Sequence, residues 1–175
     1  AGKDTGGKLL LSVRFFPSGT LTVKVVGGKE LRGSGSIDPY VTLRTGGGQL
    51  KEVGEQKFKT PSHRDGGADP QWNYDVRFEV VDQVEIEVKC WDKDLLSKDD
   101  LIGEGKVCLR ELFAKAAATK GSGGSGSGSG SVSGPDRSAS SSAMTDVWVP
   151  LTAHNSGVPA GEVHLVLFFV GPVGV

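Results

Sequence analysis

Apolar residues recur at every second position through much of this chain, the period of a strand that turns one face to a core. Leu9, Leu11, Val13 and Phe15 make the first such run; after the turn Pro17-Ser18-Gly19, Leu21, Val23 and Val25 make the next. Val41 and Leu43 then oppose Tyr40, Thr42 and Arg44. The segment 53–60 predicts an edge strand, with Lys57 and Lys59 on one side and Phe58 on the other. The cleanest alternation sets Trp72, Tyr74, Val76, Phe78 and Val80 against Asn73, Asp75, Arg77 and Glu79. Val84, Ile86, Val88 and Cys90 follow, then strands over 105–109 and 146–151, and a last one through Val163, Leu165, Leu167 and Phe169. Only 109–119 reads as a helix, of about three turns. Short strands with almost no helix between them predict an all-β fold, an antiparallel eight-stranded β-sandwich.

The breaks in this pattern set the domain organisation. Residues 1–18 form an extension holding the first strand-like run, and 19–170 form one domain followed by a short tail, 171–175. Gly33 to Ser36, Gly46 to Gly48 and Pro61 to Pro70 read as loops. From Gly121 to Gly134 the chain is almost pure Gly and Ser, so 121–145 reads as a flexible insertion that buries nothing. Loop closure grows costlier only with the logarithm of length, so the fold tolerates it. The run 7–16 also echoes 161–170 in its apolar spacing.

Composition then excludes several functions. With 20 basic against 21 acidic residues, no long-range field attracts nucleic acid. The two cysteines, Cys90 and Cys108, fall in predicted strands and read as buried, reduced thiols of a cytoplasmic protein. No apolar run is long enough to span a bilayer, so any membrane contact is expected to be peripheral. His63, His154 and His164 are scattered, without metal-ligand spacing or a nucleophile–base pattern, so a binding module rather than an enzyme is expected, more often monomeric than not.

The chemistry concentrates between the strand ending at Cys90 and the apolar run that restarts at Leu101. There Asp92, Asp94, Asp99 and Asp100 put four carboxylates within nine residues. Carboxylates gathered on a loop at the end of a sheet either stay solvated and cap turns, or converge on a hard cation such as Ca²⁺, which takes six to eight oxygens.

Taken together, Ser36-Ile37-Asp38-Pro39-Tyr40-Val41, Asp69-Pro70-Gln71-Trp72-Asn73, Trp91-Asp92-Lys93-Asp94 and Asp100-Leu101-Ile102-Gly103-Glu104 resemble C2 domains, the calcium- and lipid-binding β-sandwiches. The resemblance implies calcium ligands at Asp38, Asp92, Asp94 and Asp100, with the Lys93 carbonyl as a further oxygen. Asp99 falls off that motif and is expected to be solvated. Where the family carries a fifth carboxylate early in the first loop this chain has Arg32, which implies one weakly held ion. The resemblance also implies lipid contacts: Leu95 and Leu96 as apolar tips, and Lys57 and Lys59 with Tyr40, Trp72 and Asn73 as a surface for anionic phospholipid or phosphoinositide headgroups. Lys57 and Lys59 have a plainer use, protecting an edge strand from aggregation, and Trp72, which heads a strict inward alternation, suits the core better than a lipid contact. Of the family's two circular variants, the second is expected, with 163–169 filling the central slot and 9–15 as an extra strand or the last strand of a preceding C2 domain. The function implied is calcium-assisted, peripheral docking on anionic membranes; the alternative is a calcium-independent module for protein contact.

Overall fold

Among the described residues the alternating runs form strands, and most of their inward-facing residues are buried. The computed structural model describes residues 18–33, 35–46, 54–119 and 142–171. They form β1 (Gly19–Lys29), β2 (Pro39–Gly46), β3 (Lys57–Lys59), β4 (Gln71–Val80), β5 (Glu85–Asp92), β6 (Asp100–Cys108), α1 (Arg110–Thr119), β7 (Ser142–Thr152) and β8 (Pro159–Val170). Neighbouring strands are hydrogen-bonded in the order β3-β2-β5-β6-β7-β8-β1-β4, and every pairing is antiparallel. Between β6 and β7 the ladder narrows to one pair, Glu104 opposite Thr152. At that corner the eight strands divide into two layers of four. The far ends of the series meet again: Phe58 of β3 lies edge-on to Phe78 of β4, with ring centroids 4.8 Å apart. Beside them the Gln56 amide donates to the Glu79 carbonyl and accepts from the Glu79 N–H. The sheet is thus folded over into a sandwich.

Between the layers lie Leu21, Val23 and Val25 of β1, Val41 and Leu43 of β2, Phe78 of β4, Ile86 and Val88 of β5, and Val163, Leu165 and Leu167 of β8, all at most 1% exposed. The helix α1 packs on β7 and β8. Its Leu112 and Ala116 are buried, and Phe113 meets Phe169 at 4.9 Å. The strand β8 sits between β7 and β1, the slot expected for the C-terminal run. The N-terminal run 9–15, the Gly47-Gly48 turn and most of the Gly/Ser insertion lie outside the described residues.

Three expectations need correction. The insertion does not reach residue 145, because β7 begins at Ser142, where Ala143 and Val147 already pack against the core. Cys90 is buried as expected, and burial pushes its thiol up to about 12, but Cys108 is exposed on the outward face at the end of β6. Tyr74, which the alternation turns inward, is 39% exposed. Tyr74, on the end strand β4, pairs with Val25 of β1, immediately beside the irregularity between Val25 and Gly27, where Asn73 takes φ +46° and the regular ladder is interrupted.

The turn from β1 toward the first loop depends on Gly161. Its φ is +101°, and a Cβ there would lie 2.7 Å from the backbone oxygens of both Lys29 and Glu30. Gly161→Ala is expected to lower the unfolding free energy by about 1–3 kcal/mol, read from the urea midpoint at unchanged slope.

Candidate functional site

The pairing of β2, β5 and β6 brings the acidic loops to one rim. Pro39 lies opposite Asp92, and Asp92 opposite Asp100, after an irregularity at Cys90-Trp91. Asp38, one residue before β2, therefore lands beside Asp92. Its N–H donates to Asp92 Oδ1 at 2.8 Å, and its carbonyl accepts from the Lys93 N–H at 3.2 Å. Its own Oδ1 accepts from the Asp65 N–H at 2.7 Å, which ties in the loop before β4. Asp38 thus fastens three loops at one point. Ile37, behind it, is 2% exposed and belongs to the core.

The other carboxylates of the β5–β6 loop divide their roles. Asp94 Oδ2 accepts from the Ser97 hydroxyl at 2.9 Å. Asp100 is exposed, and its side chain makes no hydrogen bond to the described residues. Asp99, expected to be solvated, has both oxygens engaged: Oδ2 accepts from the Tyr40 hydroxyl at 2.6 Å and Oδ1 from the Asp94 N–H at 3.1 Å. The Tyr40 hydroxyl, helped by that N–H and by Lys59 and Lys93, holds the Asp99 carboxyl below the usual range. Burial and the Asp99 charge push the Tyr40 hydroxyl far up, so it stays a donor at any physiological pH. Alternation alone could not find this pair, because it joins residues 59 positions apart.

A calcium ion requires oxygens converging at about 2.3–2.6 Å. Asp38, Asp92 and Asp100, with the Lys93 carbonyl nearby in sequence, supply suitable donors from adjacent strand ends. Among the described residues, however, no three acidic, His or Cys side chains stand close enough to hold an ion. Arg32, where the family carries a carboxylate, is exposed and tied through its N–H to the Ala160 carbonyl. The donors fit calcium in chemistry and location, while their spacing demands that side chains swing inward.

The residues expected to meet lipid are not equivalent. Leu95 and Leu96 are 87% and 102% exposed at the tip of the β5–β6 loop. Lys57 and Lys59 are exposed on the edge strand β3, with Lys59 Nζ 3.7 Å from the centre of the Tyr40 ring. Tyr40 itself is buried under that ammonium, which corrects the expectation that it meets a headgroup directly. Trp72 packs against the core and donates from Nε1 to the Pro39 carbonyl at 3.0 Å, so its role is to brace β2. Asn73 is exposed at the bulge.

Comparison with known proteins agrees with this architecture. The family model described as C2 domain matches residues 19–122. The chain belongs to the C2 domain family. Among curated relatives, it is 32% identical over 102 residues to 16 kDa phloem protein 1 of Arabidopsis thaliana, covering 54% of this chain and 61% of that protein. It is 31% identical over 103 residues to Elicitor-responsive protein 3 of Oryza sativa subsp. japonica, covering 57% and 66%. The chain thus spans roughly three-fifths to two-thirds of these relatives. In structure it resembles a C2 domain-containing protein from a putative elicitor-responsive gene (TM-score 0.58, 23% identity, 90% of this chain and 92% of that one). It also resembles the calcium-bound pair of C2 domains of Extended-Synaptotagmin 2 (TM-score 0.58, 22% identity, 87% and 46%). The family match stops before β7 and β8, yet these strands complete the C2 sandwich beyond the insertion. Among the described residues no helix is long and apolar enough to cross a membrane.

Asp92 and Asp100 face each other on this C2 rim and are expected to differ when no metal is bound. A hydrogen bond to a charged group contributes about 1.5–3 kcal/mol, whereas an exposed charge pair changes stability by about 0–1 kcal/mol. Asp92→Ala loses the bond from the Asp38 N–H and is expected to destabilise by roughly 1–2 kcal/mol in chelator. Asp100→Ala only relieves repulsion and is expected to be neutral or slightly stabilising. Denaturant unfolding of both variants checks this.

Proposed function

We propose that this protein docks peripherally on anionic phospholipid membranes at the cytoplasmic face, with calcium assisting and as a binding module rather than an enzyme. The observation that carries the reading is the pair Leu95 and Leu96, fully open to solvent at the tip of a loop whose base is an acidic rim. Burying two leucines contributes about 2–5 kcal/mol at roughly 25 cal/mol per Å². That anchor is marginal alone. Lys57 and Lys59 on β3 add about 1 kcal/mol each near an anionic leaflet, and a phosphoinositide headgroup suits their charge.

Asp38, Asp92 and Asp100 with the Lys93 carbonyl would hold the ion, and Asp94 would join after leaving Ser97. Bound there, calcium supplies positive charge shared between carboxylates and lipid phosphate. Because Asp38 and Asp92 each already accept a backbone N–H, and Arg32 replaces a ligand, the expected binding is one ion held weakly. The same Arg32 supports a second reading, calcium-independent contact with a protein partner.

Sedimentation with phosphatidylserine or phosphatidylcholine vesicles, in calcium or chelator, separates the readings. Binding is expected only to the anionic vesicles, weaker in chelator, and reduced at least tenfold in Leu95→Ser/Leu96→Ser. Equal binding in calcium and chelator removes the ion from the proposal, and no binding to anionic vesicles removes the membrane.

A further inference from the structure

The tip residues Leu95 and Leu96 need a fixed base. Within the loop, Lys93 is held by the Asp38 carbonyl, and Ser97 bonds only to Asp94 of the same loop. Among the described residues, one side-chain hydrogen bond leads from residues 94–99 to another element, that from Tyr40 of β2 to Asp99. Asp99 then passes the constraint on, since its second oxygen takes the Asp94 N–H at the residue before Leu95. On the other side of the same tyrosine, the Lys59 ammonium rests over the ring. A continuous line of contacts therefore runs from the basic edge strand, through Tyr40 and Asp99, to the root of the apolar tip.

We infer that Tyr40 and Asp99 form a latch that fixes the β5–β6 loop to the sheet, so that the Leu95–Leu96 tip and the β3 lysines meet a membrane as one rigid surface. Both are positioning residues. Asp99 does this as a carboxylate outside the ligand pattern, and Tyr40 does it while buried. The presenting role rests on the membrane reading above; the latch itself does not.

The obvious variants leave the core intact. Tyr40→Phe keeps the ring beneath Lys59 and removes only the hydroxyl, Asp99→Ala removes the acceptor, and Asp99→Asn retains an acceptor oxygen. Hydrogen–deuterium exchange on the free protein is expected to show the Asp94 amide region exchanging roughly tenfold faster in Tyr40→Phe and in Asp99→Ala. Asp99→Asn should lie between the parent and Asp99→Ala, and the double variant should be no faster than Asp99→Ala, which already removes both the Tyr40 bond and the Asp94 bond. Exchange in β1 and β8 should not change. Partition to phosphatidylserine vesicles is expected to fall several-fold in Tyr40→Phe, which changes no charge, with an unchanged salt dependence because Lys57 and Lys59 remain. Identical loop exchange in Tyr40→Phe and the parent overturns the latch. Faster exchange with undiminished partition overturns the presenting role. If the parent protein itself fails to partition, the membrane reading and the presenting role fall together, and exchange alone still decides the latch.

Discussion

The register that sets Pro39 opposite Asp92, and Asp92 opposite Asp100, governs the functional end of this sandwich. Strand ends meet where their pairing brings them, and here pairing brings two loops' carboxylates together before any ion is present. Such crowding of like charges is unfavourable and needs compensation. The compensation comes from backbone N–H donors: Asp38 donates to Asp92, and Asp65 donates to Asp38. The loops are therefore braced by the same oxygens that a cation would need. That competition explains how the rim carries the family's acidic residues without a preformed cage among the described residues.

The outer face of β2, β5 and β6 keeps this register in place by a second means. Arg44 reaches Glu55 and Glu87, Lys89 reaches Glu87 and Glu104, and His154 reaches Glu104. Burial pushes the Glu87 carboxyl up, but the hydrogen bonds from Arg44 and Lys89 outweigh it and leave the group below its usual value. Isolated surface pairs contribute little. Here Arg44, Glu87, Lys89 and Glu104 each serve two partners, and the Arg44–Glu87 and Lys89–Glu104 pairs cross adjacent strands, so a slip of one residue would break several contacts at once. On the inner face the apolar set makes the same demand, since a slip would turn Val41, Leu43, Ile86 and Val88 to water.

Tyr40 shows how one side chain can serve both faces of the design. Its neighbour Asp38 belongs to the acidic rim, its ring supports Lys59, and its hydroxyl holds Asp99. The basic strand and the acidic loop, opposite in charge and far apart in sequence, are coupled through it. The structural likeness to other C2 domains is at the level of fold, and this coupling is a property of this chain's own residues.

Period-two alternation determined the strands, their inner faces and the all-β class, and its absence over 110–119 marked the helix, because a half-buried strand leaves that period on its own residues. The acidic motif and the two exposed leucines were equally legible, since composition and loop position are local properties. Alternation failed at Tyr74, beside the register irregularity of β4, whereas Cys108, read as buried for being a cysteine, follows the alternation outward between buried Val107 and Leu109. It also missed the first residues of β7, which look like linker until Val170 and Phe169 pair with them. Tertiary structure alone decided which carboxylates are already engaged by N–H groups, that Trp72 braces Pro39, and that Asp99 is held by Tyr40. Those outcomes depend on hydrogen bonds between residues tens of positions apart, whose directions are set only when the strands are in register.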